Sequence, residues 1–171
     1  MPSIRPAAVA GMFYPAAARE LALEVDNMLE QSAAAVPVPG FPKALIVPHA
    51  GYIYSGGVAA HAYARLRAAR GIVRRVVLLG PCHRVPVRGL ALPEASAFAT
   101  PLGQIPIDQE ALKSLAGLAQ VVVSSAVHAE EHALEVQLPF LLTSNICMTR
   151  KHWRRGLLLF SKIVPTSTEK R

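Results

Sequence analysis

Residues 43–57 read KALIVPHAGYIYSGG, residues 58–72 read VAAHAYARLRAARGI, and residues 73–86 read VRRVVLLGPCHRVP. A short β-branched run, an alanine-rich helical run and a second β-branched run make a strand, helix, strand unit. The expected elements are a strand over 43–47, a helix from about Val58 to Arg70 ended by Gly71, and a strand over 73–79. Such crossovers are right-handed and lay their strands parallel, which places the chain in the α/β class on a mostly parallel open sheet. Side chains just beyond the carboxyl end of a parallel strand sit on the rim where such sheets bind ligands. His49 and His83 occupy that position after the two runs. Two imidazoles delivered to one rim can share a metal ion, and the plainer alternative is a pair of loop histidines satisfied locally.

Working outward, Leu21, Val25, Met28 and Leu29 recur at helical spacing with acidic residues between them, which predicts an amphipathic helix over 17–35. Pro37, Pro39, Gly40 and Pro42 form a linker before the first strand. Beyond Arg84, short apolar runs broken by Pro and Gly predict brief strands or a hairpin. Asp108 is placed to cap a helix over 109–118, and 120–124 reads as a third, buried strand. A last helix is expected over 131–142, with Pro139 ending or kinking it.

The chain has 171 residues, enough for one domain with a well-buried core, and 52% of them are hydrophobic against 17% charged. Two cysteines, Cys82 and Cys147, indicate no disulfide framework, so a reducing, cytoplasmic setting is expected. Pro6 and Pro15 interrupt the loosely apolar N-terminus and argue against a signal peptide, and no apolar run reaches membrane-spanning length. A net charge of +7 would ordinarily suggest an anionic partner such as nucleic acid. Most of that charge lies in residues 143–171, which oppose Glu169 with seven Lys or Arg, while every alanine of the chain lies before residue 143. The body, residues 1–142, is nearly neutral, so nucleic-acid binding is disfavoured, and 143–171 reads as an atypical basic tail outside the fold, as a shifted reading frame would leave.

Three segments carry possible chemistry. In PHAGYIYSGG the glycines permit close backbone approach, so Tyr52, Tyr54 and Ser55 are candidates to line a ligand pocket; a tight strand-to-helix turn is the plainer alternative. In LGPCHRVP, Cys82 and His83 are adjacent and point apart on an extended loop, so Cys82 is read as packing. In VHAEEHALEVQLPF, His128, Glu131 and His132 match the H-x-x-E-H pattern of inverted zinc peptidases, which further needs a downstream ligand. His132 and Glu135, at i and i+3 of a helix, are read instead as a pair facing one site, acting as proton relay or as partners of the metal ligands, whereas Glu130 and Glu131 suit a solvated helix start. His61 is read as structural, and His152 receives no role.

AGMFYP, VPHAGYIYSG, LGPCHRVP with the following ATPLG and PID segments, and EHALEVQLPF resemble, in order, the signature blocks of the Memo family, whose bacterial and archaeal members are called AmmeMemoRadiSam system protein B. The resemblance runs through about residues 1–142 and covers the N-terminal half of such a domain. It implies a three-layer α/β/α sandwich similar to class III extradiol dioxygenases, here lacking its C-terminal half, with His49 and His83 as metal ligands and His132 and Glu135 in the same pocket. The family's cysteine ligand, and an aspartate and histidine of its site, fall in the part not represented, and Cys147 is not assigned to that role.

The function implied is a metal-binding protein with a dioxygenase-like iron or copper site, the ion weakly held because its third ligand is absent, and the chain is expected to be inactive as an enzyme by itself. The resemblance also implies an alternative, a non-catalytic module binding a small molecule or peptide, since Memo-like proteins are associated with phosphopeptide recognition. The inverted zinc peptidase is the third reading. Half a sandwich exposes apolar surface, so self-association through an exposed sheet edge is expected.

Overall fold

The computed structural model describes residues 3–33, 40–144 and 157–162. Leu21, Val25 and Leu29 stand four residues apart, so on a helix they share one face. They lie on α1 (Ala18–Ala33), and all three are buried. That face packs against α2 (Tyr52–Ala64), and each buried Leu or Val is worth about 1.5–3 kcal/mol in surface removed from water.

Helix α2 starts earlier than the sequence suggests, at the residue after Gly51, so most of the expected glycine loop is helical. The reason is tertiary. A Cβ on Gly56 would stand 2.7 Å from the Met28 sulfur and 3.1 Å from the Tyr52 Cβ, so this glycine permits the close approach of α1. A 3₁₀ turn, Arg65–Ala69, continues α2, and Gly71 reverses the chain at φ +75°.

The first expected strand is a correction. Residues 43–47 form no strand: Leu45 and Val47 pack against the core and Ile46 is fully exposed, yet no described segment pairs with them. Alternation without a ladder partner leaves an irregular arm and no strand.

Strands β1 (Ile4–Arg5), β4 (Ala97–Thr100) and β5 (Gly103–Pro106) form one sheet in that order, β1 parallel to β4 and β4 antiparallel to β5. The β4–β5 hairpin is the ATPLG segment: Thr100 Oγ1 accepts from Leu102 N and donates to Gly103 O, and Gly103 takes φ +131°. A second sheet has the order β2 (Val76–Pro81), β7 (Leu157–Lys162), β3 (Leu90–Leu92), β6 (Val121–Val123). The β2–β7 and β3–β6 pairs are parallel, and β7 meets β3 antiparallel. Of residues 143–171, read from composition as a tail, Thr143, Ser144 and β7 are described; Cys147 and His152 lie outside the described residues.

Asp108 caps α3 (Gln109–Leu115) as its position predicts, accepting from Ala111 N at 3.0 Å, and it pairs with Arg75. β6 is less buried than its valine run implies, since Val122 and Val123 are exposed. The expected long helix over 131–142 is also corrected. The chain forms α4 (Ser125–Ala129), a non-helical link, a 3₁₀ turn over Glu135–Gln137 and α5 (Leu138–Thr143). Pro139 sits in the first turn of α5, where its missing N–H costs nothing. Phe140 of α5 stacks on Tyr63 of α2 at 5.0 Å and seals the core between α1, α2 and α5. No helix of the described residues is long and apolar enough to cross a membrane.

Candidate metal centre

His49 lies between the 43–47 arm and α2, His83 follows the end of β2, and His132 sits in the link between α4 and the 3₁₀ turn. Three distant segments thus deliver three imidazoles to one place. One ligand nitrogen from each lies within 4.8 Å of the others. The His83 and His132 rings stack at 4.5 Å, and the His49 ring is 5.3 Å from His83 and 5.9 Å from His132. Phe13, from the AGMFYP segment, closes one side with its ring 4.5 Å from His132. The convergence of His49 and His83 is as the sequence indicates; His132 joins them as a third donor.

Burial lowers the His49 pKa first, and the neighbouring His83 lowers it further against the opposing pull of Glu131. Burial likewise lowers His132; Glu131 opposes the shift, and His83, His49 and Arg84 add to it. Both rings are therefore neutral at physiological pH, the form in which imidazole binds metal. Imidazole donors suit a late first-row divalent ion.

Glu131 is the residue that sequence reasoning assigned to a solvated helix start, or to the base of a peptidase. It is 3% exposed. Its Oε2 accepts from His83 N at 2.5 Å, while Oε1 lies 2.9 Å from His83 Nδ1 and accepts from His132 N at 2.8 Å and Ala133 N at 2.9 Å. Burial alone would raise its pKa; the hydrogen bonds from Ala133 and His83 outweigh that and hold the carboxyl below its ordinary range.

Glu135 is placed elsewhere. The link after α4 breaks the helix on which His132 and Glu135 would share a face, and the Glu135 side chain, 0% exposed, turns toward the N-terminal segment. It pairs with Arg5, accepts from Tyr14 Oη at 2.6 Å, and accepts from Ala8 N and Val9 N. Arg5 also donates to His128 O at 2.9 Å and Glu131 O at 2.7 Å, clamping the segment that carries His132. Of the proposed pocket residues, Tyr52 is buried with its hydroxyl donating to Val136 O, Ser55 donates to Ala50 O within the first turn of α2, and Tyr54 is 83% exposed. They belong to the helix start and the core, and among the described residues no hydrogen bond or ring contact joins them to the three imidazoles. His61 lies on α2 with Nδ1 near Gly57 O.

His128 does not share a face with His132. It is buried beneath Phe98, with Nε2 3.1 Å from Ala91 O, so the paired ligands of an inverted zinc peptidase are not formed. Burial lowers its pKa to about 4, the Ala91 hydrogen bond opposing and the Arg5 charge assisting. The unfolded chain, titrating near 6.5, then binds more protons than the folded chain between about pH 4 and 6.5. The stabilisation is complete above about pH 6.5 and is lost as pH falls toward 4, by about 3 kcal/mol. Thermal melts across that window should fall more steeply for the native chain than for His128→Gln, which keeps a donor toward Ala91 and cannot titrate. Parallel curves would refute the assignment.

Comparison with known proteins places these residues in context. The chain matches the family model described as Memo-like protein over residues 5–165. It is 42% identical over 146 residues to a MEMO1 family protein of Ignicoccus hospitalis, covering 81% of this chain and 51% of that protein. It is 35% identical to a MEMO1 family protein of Methanobrevibacter smithii, covering 81% of this chain and 52% of the relative, and 38% identical to Protein MEMO1 of Danio rerio, covering 80% and 44%. The chain spans about half the length of the curated relatives it matches.

Proposed function

The chain belongs to the Memo-like protein family, and on that premise we propose that His49, His83 and His132 together hold one iron or copper ion in a site of the class III extradiol dioxygenase kind. The observation that supports this reading is the convergence of three imidazole nitrogens within 4.8 Å, two of the rings kept neutral by burial. A bound ion would supply a Lewis-acidic, redox-active centre with open positions for a small oxygen-bearing substrate and dioxygen. The protein's own part is to hold three donors in place, to exclude water on the Phe13 side, and to keep His49 and His132 deprotonated. Anaerobic loading with Fe(II) or Cu(II), followed by metal analysis, should give about one ion per chain. Uptake of neither metal ends the proposal.

A second reading, a non-catalytic pocket for an anionic peptide side chain, has support in Arg84, exposed beside His83 and close enough to bias His132. Phosphopeptide binding to the metal-free protein would favour it, and metal-dependent dioxygen consumption would remove it.

The fold is proposed to be the N-terminal part of a three-layer α/β/α sandwich. Val77 and Leu79, on one face of β2, are exposed, an apolar face that a second helix layer would cover. Without that layer, copies of the chain should associate through this face and the free edge of β2. Sedimentation velocity should show concentration-dependent oligomers that Val77→Lys with Leu79→Lys disperses; a monomer at all concentrations would count against it.

A further inference from the structure

We infer that Glu131 is the positioning residue of the histidine cluster: its buried carboxylate fixes the His83 ring with the proton on Nδ1, leaves Nε2 as the ligand atom, and lends negative charge to a donor set that has none. The inference rests on the metal reading above and deepens it. An ionised carboxylate only accepts hydrogen bonds, so at 2.9 Å from Oε1 the His83 Nδ1 carries the proton. The carboxylate cannot swing away, because Oε2 holds the His83 amide and Oε1 holds the His132 and Ala133 amides. One side chain therefore ties two of the three ligand-bearing segments to each other, and its own backbone is held by Arg5 at Glu131 O. The His132 Nδ1, at 3.3 Å, approaches the same oxygen. Carboxylate partners of this kind make an imidazole a stronger donor, and their removal typically weakens metal affinity about 10–100-fold.

Glu131→Gln tests this in the full chain, because it removes the negative charge and, with its oxygen kept on the His132 and Ala133 amides, sets an NH2 donor against the His83 backbone N–H. Long-range proton–nitrogen NMR of the metal-free protein should show His83 as the Nδ1–H tautomer. Competition titration with Cu(II) should show affinity lower by about 10–100-fold in Glu131→Gln and largely recovered in Glu131→Asp. Nε2–H in the native chain, or unchanged affinity in a folded Glu131→Gln, would overturn the inference while leaving the metal reading intact. Should Glu131→Gln fail to fold, the native tautomer decides, and Nε2–H there overturns it. Absence of copper uptake by the native chain overturns the metal reading itself.

Discussion

His132→Ala is expected to weaken metal binding as severely as His49→Ala or His83→Ala, on the order of 100-fold or more. The binding free energy of a structural zinc site, roughly 10–16 kcal/mol over four ligands, assigns about 3 kcal/mol to each donor, and every 1.4 kcal/mol is tenfold. His132 matters here because its ring stacks on His83 and its nitrogen lies with the other two. The sequence places it with Glu135 as a proton relay; the geometry makes it a ligand candidate of equal standing. Competition titration of Cu(II) into the three single variants checks this, with circular dichroism to show that each is folded. His132→Ala binding like the native chain would reduce the site to two histidines.

Arg5→Ala is expected to cost about 3–5 kcal/mol, because it leaves the Glu135 carboxylate charged and without its cation at 0% exposure. The tyrosine and two amides that Glu135 also accepts from do not neutralise it. For a chain of this size the melting temperature should fall on the order of 10 °C. Removing the buried charge as well, in Arg5→Ala with Glu135→Leu, should recover much of the loss, since a buried pair contributes little net stability against apolar replacements. Urea melts of the two single variants and the double variant give the cycle. A loss below about 1 kcal/mol in Arg5→Ala would mean that the pair is not closed in solution. The same variant loosens the link that carries Glu131 and His132, because Arg5 also binds His128 O and Glu131 O.

Local patterns in the sequence were readable where local physics decides. The four-residue recurrence on α1, the Asp108 cap and a hairpin somewhere beyond Arg84 depend on neighbours a few residues away, and each is found. The start of α2 was not readable, because Gly56 is there to admit Met28, a contact set by the packing of two helices. Residues 43–47 have the composition and alternation of a strand, and pairing, which composition does not encode, is what they lack. At the site, two histidines behind apolar runs were legible as a convergent pair. Glu131 and Arg5 were not, since a buried charge is explained only by partners far along the chain: Arg5 and Glu135 are 130 residues apart. His132 and Glu135 were assigned to one helix face, and the break in the helix sends one to the cluster and the other to Arg5.

X-ray absorption at the metal edge of the copper- or iron-loaded chain tests the central claim most directly. Three imidazole nitrogens at about 2.0–2.1 Å, one lost in each of His49→Ala, His83→Ala and His132→Ala, are the predicted result. A first shell of oxygen atoms with no imidazole scattering, unchanged by the three substitutions, would contradict it.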